Sequence, residues 1–245
     1  MNDDRLLLGM LTPSSNTVLE PVTTAMLAGV PRASVHFSRF RVTEISLAGH
    51  ALAQFDEAGI VAAARLLADA RCQVIGWNGT SASWLGFERD ERLCATIVQE
   101  TGAAACTSVL ALNERLQATG VTRLGLVTPY RGDVQQAIAA NYARIGIHCV
   151  GEAHLDLEEN FAFSRVDAAM LRTMTHEVAH SRPQAIAILC TNLRGAPLAA
   201  ELEQALGLPV YDSIATVVWK SLRLAGADPT PLRGWGSLFE DNREP

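Results

Sequence analysis

Gly9-Met10-Leu11-Thr12-Pro13 recurs further along the chain as Gly125-Leu126-Val127-Thr128-Pro129, so an apolar run ends in the same Thr-Pro pair twice. Runs this short and aliphatic, cut off by proline, read as buried strands that end in a turn. Two more echoes fall at similar offsets. Val74-Ile75-Gly76-Trp77-Asn78-Gly79-Thr80 is answered by Ile186-Ala187-Ile188-Leu189-Cys190-Thr191, and Cys106-Thr107-Ser108-Val109 by Tyr211-Asp212-Ser213-Ile214. Self-similarity at a fixed spacing marks a duplicated unit.

Around these anchors short aliphatic runs alternate with long Ala/Leu-rich stretches. Residues 6–11, 34–42, 73–77, 123–128, 148–154 and 185–189 read as strands, and 47–70, 90–100, 108–118, 133–145, 166–179 and 213–224 carry helical apolar spacing. Another helix begins near Val18. This rhythm belongs to a parallel sheet and predicts an open, doubly wound α/β fold. A chain of 245 residues accommodates one large domain or two small lobes. The duplication selects the second: two flavodoxin-like lobes related by a pseudo-twofold axis, one spanning 1–113 plus the tail 226–245, the other 114–225. Ligands of such sheets bind beyond the carboxyl ends of the strands, which places the expected site in the cleft between the lobes.

The composition, 49% hydrophobic and 19% charged, describes a globular chain with ample core and excludes a disordered one. A net charge of −6 and a pI near 5.5 supply no basic stripe for phosphates, so no nucleic-acid partner is expected. The opening apolar run stops at Thr12-Pro13, too soon for a signal peptide or membrane span, and the expectation is a soluble, cytoplasmic protein. Five cysteines, Cys72, Cys94, Cys106, Cys149 and Cys190, are odd in number and lack CxxC spacing, which fits reduced thiols.

Four strand-end loops carry the chemistry. The first, Thr12-Pro13-Ser14-Ser15-Asn16-Thr17, offers hydroxyl and amide donors before a helix N-terminus, a place to hold a carboxylate or simply to cap the helix. In the second, Gly79 lets the backbone approach a ligand while Thr80 and Ser81 donate. The third puts the Tyr130 phenol where the first lobe has Ser14, either as packing or as a neutral oxyanion donor. The fourth presents Cys190 and Thr191 before a polar turn, whereas the other four cysteines lie in helical or strand contexts that favour inert burial.

At these residues the sequence resembles the aspartate/glutamate racemase superfamily, in its branch of arylmalonate decarboxylases and maleate cis-trans isomerases, over nearly the whole chain. Gly9 to Thr17, Pro129-Tyr130 and Glu158-Glu159-Asn160 are similar to the isomerase pattern. Gly79-Thr80-Ser81 and the closing Gly234-Trp235-Gly236-Ser237-Leu238-Phe239 resemble the decarboxylase, although Ser14-Ser15-Asn16 replaces its proline-rich first loop. The superfamily usually sets two cysteines across the substrate. Here the duplication aligns Cys190 with Gly79, so one face lacks its thiol, as in the decarboxylase. Asn16 and Asn160 match positions that hold a second carboxylate in the isomerase, which implies a polar diacid.

The reaction so implied is decarboxylation of a malonate-type or other small dicarboxylate, with no metal or organic cofactor. Donors from Thr80, Ser81, Tyr130 and the Cys190-Thr191 turn stabilise the enediolate, and Cys190 protonates it. A maleate-type isomerase or a racemase, with Cys190 acting alone as nucleophile, is the alternative; a non-catalytic anion-binding module is a third. His176-Glu177-Val178-Ala179-His180 fits the zincin HExxH pattern. The apolar positions Met170, Met174 and Val178, however, place both histidines off the buried helix face, and no third ligand follows. His36, His50, His148 and His154 show no metal-ligand spacing either. The expected partner is a small dicarboxylate, with no membrane; oligomeric state is not legible.

Overall fold

Each half of the duplication forms a four-stranded parallel sheet in the computed structural model, which describes residues 5–49 and 57–240. In the first half β1 (Leu6–Pro13), α1 (Leu19–Leu27), β2 (Ala33–Phe40), α2 (Glu57–Asp69), β3 (Val74–Trp77), α3 (Ala82–Leu85), α4 (Phe87–Thr101), β4 (Ala104–Thr107) and α5 (Ser108–Ala118) follow one another. The second half runs β5 (Arg123–Thr128), α6 (Gly132–Arg144), β6 (His148–His154), α7 (Asn160–Phe163), α8 (Ala168–Ala179), β7 (Ala185–Ile188), α9 (Ala199–Leu206), β8 (Val210–Asp212) and α10 (Ser213–Leu224). The sheet orders, β2-β1-β3-β4 and β6-β5-β7-β8, are the same, so the fold is two α/β lobes. β3 and β7 are buried along their whole length, as parallel strands covered on both faces must be.

Six strands are legible in the sequence, and the structure has two more. β4 and β8 are only four and three residues long, and each is created by pairing at the sheet edge, Trp77 with Thr107 and Ile188 with Asp212. Alternation over so few residues carries no signal. Of the helix expected over 47–70, the described part is Glu57–Asp69, and residues 50–56 lie outside the described residues. α9 escaped the periodicity reading as well.

The strand-to-helix turns after β4 and β8 are built alike. Thr107 Oγ1 accepts from Leu110 N at 3.0 Å, and Asp212 Oδ1 accepts from Ile214 N at 2.7 Å, so each helix is capped by the last residue of its strand. The two capped helices pack against each other. Thr216 Oγ1 of α10 donates to Ser108 O at 2.9 Å, and α10 lies on the sheet of the first half. Gly76 permits this approach: a Cβ there would sit 2.8 Å from Val217 Cγ2. The C-terminal turns close over both halves, with Leu232 against Gly29 beside α1 and Ser237 N donating to Glu203 Oε2 at 2.7 Å. Gly236, at φ +109°, holds a conformation other residues rarely adopt. Among the described residues no helix is long and apolar enough to cross a membrane.

Candidate active site

The parallel order brings the ends of the central strands β1, β3, β5 and β7 to one edge, facing across the lobes. Gly79 stands two residues past the end of β3, and Cys190 two past the end of β7. Both line a cavity of about 20 Å³, room for roughly one water. Thr80, Ser81, Tyr130, Asn160 and Thr191 line it too, so seven of the ten residues expected from the sequence come together.

Its remaining wall is apolar: Pro13, Val42, Ile45, Trp77 and Trp84. Among the described residues no charged side chain lines the cavity. Val42 and Ile45 follow β2 and are held over the opening by the loop after β6. Ile45 N donates to Glu158 O at 2.9 Å, Asn160 N donates to Thr43 O at 3.0 Å, and Glu44 bridges Glu159.

Burial pushes the Cys190 thiol up to about 12. The Tyr130 hydroxyl and the Asn192 N–H, 3.4 Å from Sγ, oppose that shift, and the Asp212 carboxylate adds to it. Tyr130 is itself buried and driven well above its ordinary value; its oxygen lies 2.6 Å from Thr80 Oγ1. Trp84 and Phe163 hold the phenol edge-on, at centroid distances of 5.2 and 5.7 Å. The site at neutral pH is thus a thiol and neutral donors, with Thr80, Tyr130 and Cys190 in sequence.

Ser14, Ser15 and Asn16 lie outside the cavity lining. Ser14 is exposed, and its Oγ accepts from Val42 N at 3.2 Å. Ser15 Oγ donates to Val42 O at 2.7 Å and accepts from Asn160 Nδ2 at 2.8 Å. Asn16 is fully engaged: Oδ1 accepts from Val18 N and Leu19 N, both at 2.9 Å, while Nδ2 donates to Thr191 O at 3.0 Å. Asn192 completes this latch, with Oδ1 accepting from Thr17 N and Nδ2 donating to Asn160 O at 2.6 Å. The first loop fastens one lobe to the other, a task its donor-rich sequence does not distinguish from anion binding.

What sequence reasoning missed is the apolar wall and, above all, Trp77. A Cβ built on Gly79 would fall 1.8 Å from Trp77 Cζ2 and 2.4 Å from Cη2. The space beside Gly79 is therefore filled by an indole. Thr107 and Trp77 both donate to the buried carboxyl of Asp90 on α4, which desolvation nonetheless pushes up to about 7. A tryptophan closing a buried strand, in a chain only 6% aromatic, was the available signal.

The other candidates lie elsewhere. His176 and His180 are exposed on α8, whose buried face is Leu171, Met174, Thr175 and Val178; Met170, expected on that face, is 46% exposed. Met174 and Val178 are buried as expected, and Leu171 takes the buried place expected of Met170. Among the described residues no three His, Cys, Asp or Glu side chains gather as metal ligands. Cys72 and Cys106 are buried, Cys94 and Cys149 half-buried, and burial raises all four thiols. Elevation alone thus does not single out Cys190; its place on the cavity does. His36 pairs with Ser34, His148 is exposed, His154 meets Glu152 at 2.8 Å, and His50 lies outside the described residues.

A family model described as arylmalonate decarboxylase matches residues 9–239. The arylmalonate decarboxylase of Bordetella bronchiseptica is 31% identical over 186 residues, 75% of this chain and 78% of that one. The maleate isomerase of Geobacillus stearothermophilus is 26% identical over 227 residues, covering 88% and 90%. Among solved structures, the maleate isomerase Iso from Pseudomonas putida S16 superimposes with a TM-score of 0.86 at 25% identity, over 96% of this chain and 98% of that one.

Proposed function

The chain belongs to the arylmalonate decarboxylase family, and from that premise we propose that it decarboxylates a small malonate-type diacid, with Cys190 as the proton donor. One observation carries this reading: among the described residues one thiol, neutral donors and an apolar wall line the same cavity, and position 79 itself offers no acid or nucleophile.

The retained carboxylate lies against Thr80, Ser81, Tyr130 and the turn at Thr191. The departing carboxylate lies against the wall of Val42, Ile45 and Trp84, which carries no charged side chain to stabilise it in the ground state. Its C–C bond breaks, CO₂ leaves, and the electron pair passes into the retained carboxylate as an enediolate. Oriented neutral donors act most strongly at that moment, because charge grows on the oxygens they face; each contributes on the order of 3 kcal/mol. The Cys190 S–H then protonates the α-carbon, and the thiolate left behind recovers a proton from water. A thiol held near 12 is protonated throughout the neutral range, the state this step requires. The new C–H bond forms on the Cys190 side alone.

Maleate isomerisation is the second reading, favoured by Asn160 on the cavity and by the isomerase relatives. It needs Cys190 as a thiolate, which burial disfavours. Methylmalonate, phenylmalonate and maleate assayed in D₂O separate the two. The expected outcome is CO₂ release with one deuterium at the α-carbon of a single enantiomer; conversion of maleate to fumarate with no CO₂ from any malonate would reverse the assignment.

A further inference from the structure

We propose that Trp77 is a specificity-determining residue of this site: its indole occupies the position that a side chain on residue 79 would take, and so fixes how small a group the substrate presents on that face. The observations are geometric. Trp77 and Gly79 line the cavity together with Cys190. The ring atoms Cζ2, Cε2 and Cη2 all lie within 2.4 Å of where the residue-79 Cβ would be, too close for any side chain. Three neighbours hold the ring there. Its N–H donates to Asp90, which is 2% exposed. Phe40 packs at a centroid distance of 5.0 Å. Trp77 also terminates β3, paired with Leu11 and Thr107 on either side, so the backbone has no freedom to withdraw it.

Two consequences follow. Position 79 is restricted to glycine for as long as the indole stands, so occupied volume alone keeps a thiol from that face. And the indole, standing on the cavity wall, limits the size of the α-substituent that the substrate can turn toward it.

The substrate consequence rests on the decarboxylase reading; the geometry does not, and the experiment separates them. Gly79→Ala, Trp77→Phe and the double variant are compared with the wild type by urea unfolding. Phenylalanine lacks Cζ2 and Cη2, two of the three ring atoms that meet position 79, so Gly79→Ala is expected to lower the midpoint more alone than beside Trp77→Phe. Equal losses in both backgrounds, or failure of both alanine proteins to fold, would overturn the proposal. Then kcat/KM is measured for α-methyl-α-phenylmalonate and α-ethyl-α-phenylmalonate, which differ only in the smaller α-group. Trp77→Phe and Trp77→Ala should raise the ethyl-to-methyl ratio at least tenfold, an effect that loosened packing alone does not produce. An unchanged ratio would overturn the specificity role. Absence of turnover in every protein would instead reject the decarboxylase reading, leaving the unfolding data to decide on the indole.

Discussion

The ends of β3 and β7 are equivalent by duplication and opposite in chemistry. Both strands lie at the same place in their sheets, and both are followed by a polar turn two residues on. At β7 the last residue is Ile188, whose side chain lies against Gly195: a Cβ there would be 2.8 Å from Ile188 Cγ2. Position 190 is thereby free to carry a thiol into the cavity. At β3 the last residue is Trp77, whose ring swings over position 79 and leaves room only for glycine. The lesson is that one residue at a strand end decides whether the residue two later can bear functional chemistry. Each end also buries a carboxyl, Asp90 beneath the indole and Asp212 as the cap of α10.

The sharpest way to break this comparison is to remove the chemistry from one end. Cys190→Ala should lower kcat on the responsive malonate by about 10²- to 10⁴-fold, the usual range for a general acid. Alanine at Cys72, Cys94, Cys106 or Cys149 should leave kcat near wild type and show only in thermal unfolding. Equal kcat for Cys190→Ala and wild type would end the asymmetry argument.

Removing a donor comes next. Tyr130→Phe loses the hydroxyl between Thr80 and Cys190 and should cost about 10²-fold in kcat with little change in KM. A pure KM effect would make Tyr130 a wall and not a donor.

Supplying the missing thiol sharpens the comparison from the other side. Gly79→Cys alone is expected to destabilise the protein without increasing racemisation of the monoacid product, because the indole already fills the site. Paired with Trp77→Ala it should raise deuterium exchange and loss of optical purity severalfold above Trp77→Ala, read by NMR and chiral chromatography. A gain from Gly79→Cys by itself would show that the ring yields easily.

The buried carboxyls predict a milder, pH-dependent effect. Asp90 and Asp212 keep their protons in the folded protein up to about pH 7, whereas an unfolded aspartate releases its proton near 3.9. Between those values the folded state binds more protons, so this contribution is greatest below about pH 4, falls as pH rises toward 7, and is flat above. Urea midpoints should therefore be higher at pH 5 than at pH 7.5, and Asp90→Asn should weaken that dependence. Identical slopes in both proteins would mean that Asp90 is ionised throughout. The smallest effect is expected at α8: His176→Ala and His180→Ala, both exposed, should change neither kcat nor its response to EDTA.

How much of this was legible can be followed along β3. Val74 to Trp77 reads as a buried strand because four apolar residues between turn signals leave little else. Gly79, Thr80 and Ser81 read as a site because donors after a buried strand meet a ligand in sheets of this kind. The same reasoning gathered Tyr130, Cys190 and Thr191, the resemblance added Asn160, and both pointed to Ser14, Ser15 and Asn16, which lie outside the cavity lining. Their hydroxyls and amides look alike as capping groups, lobe latches and substrate donors, and only the partners they find tell these apart.

The sequence by itself determined the duplication, the parallel α/β lobes and a candidate site at the strand ends that includes Cys190. These depend on local periodicity and on residue type, both of which are properties of the chain. Tertiary structure decided the packing of α5 against α10, the pairing that creates β4 and β8, the apolar mouth from Val42 and Ile45, and the placement of the Trp77 indole over Gly79. Each of those is a contact whose direction is set by a rotamer or a sheet edge, and close packing admits one arrangement among many that the same residues permit when read in order.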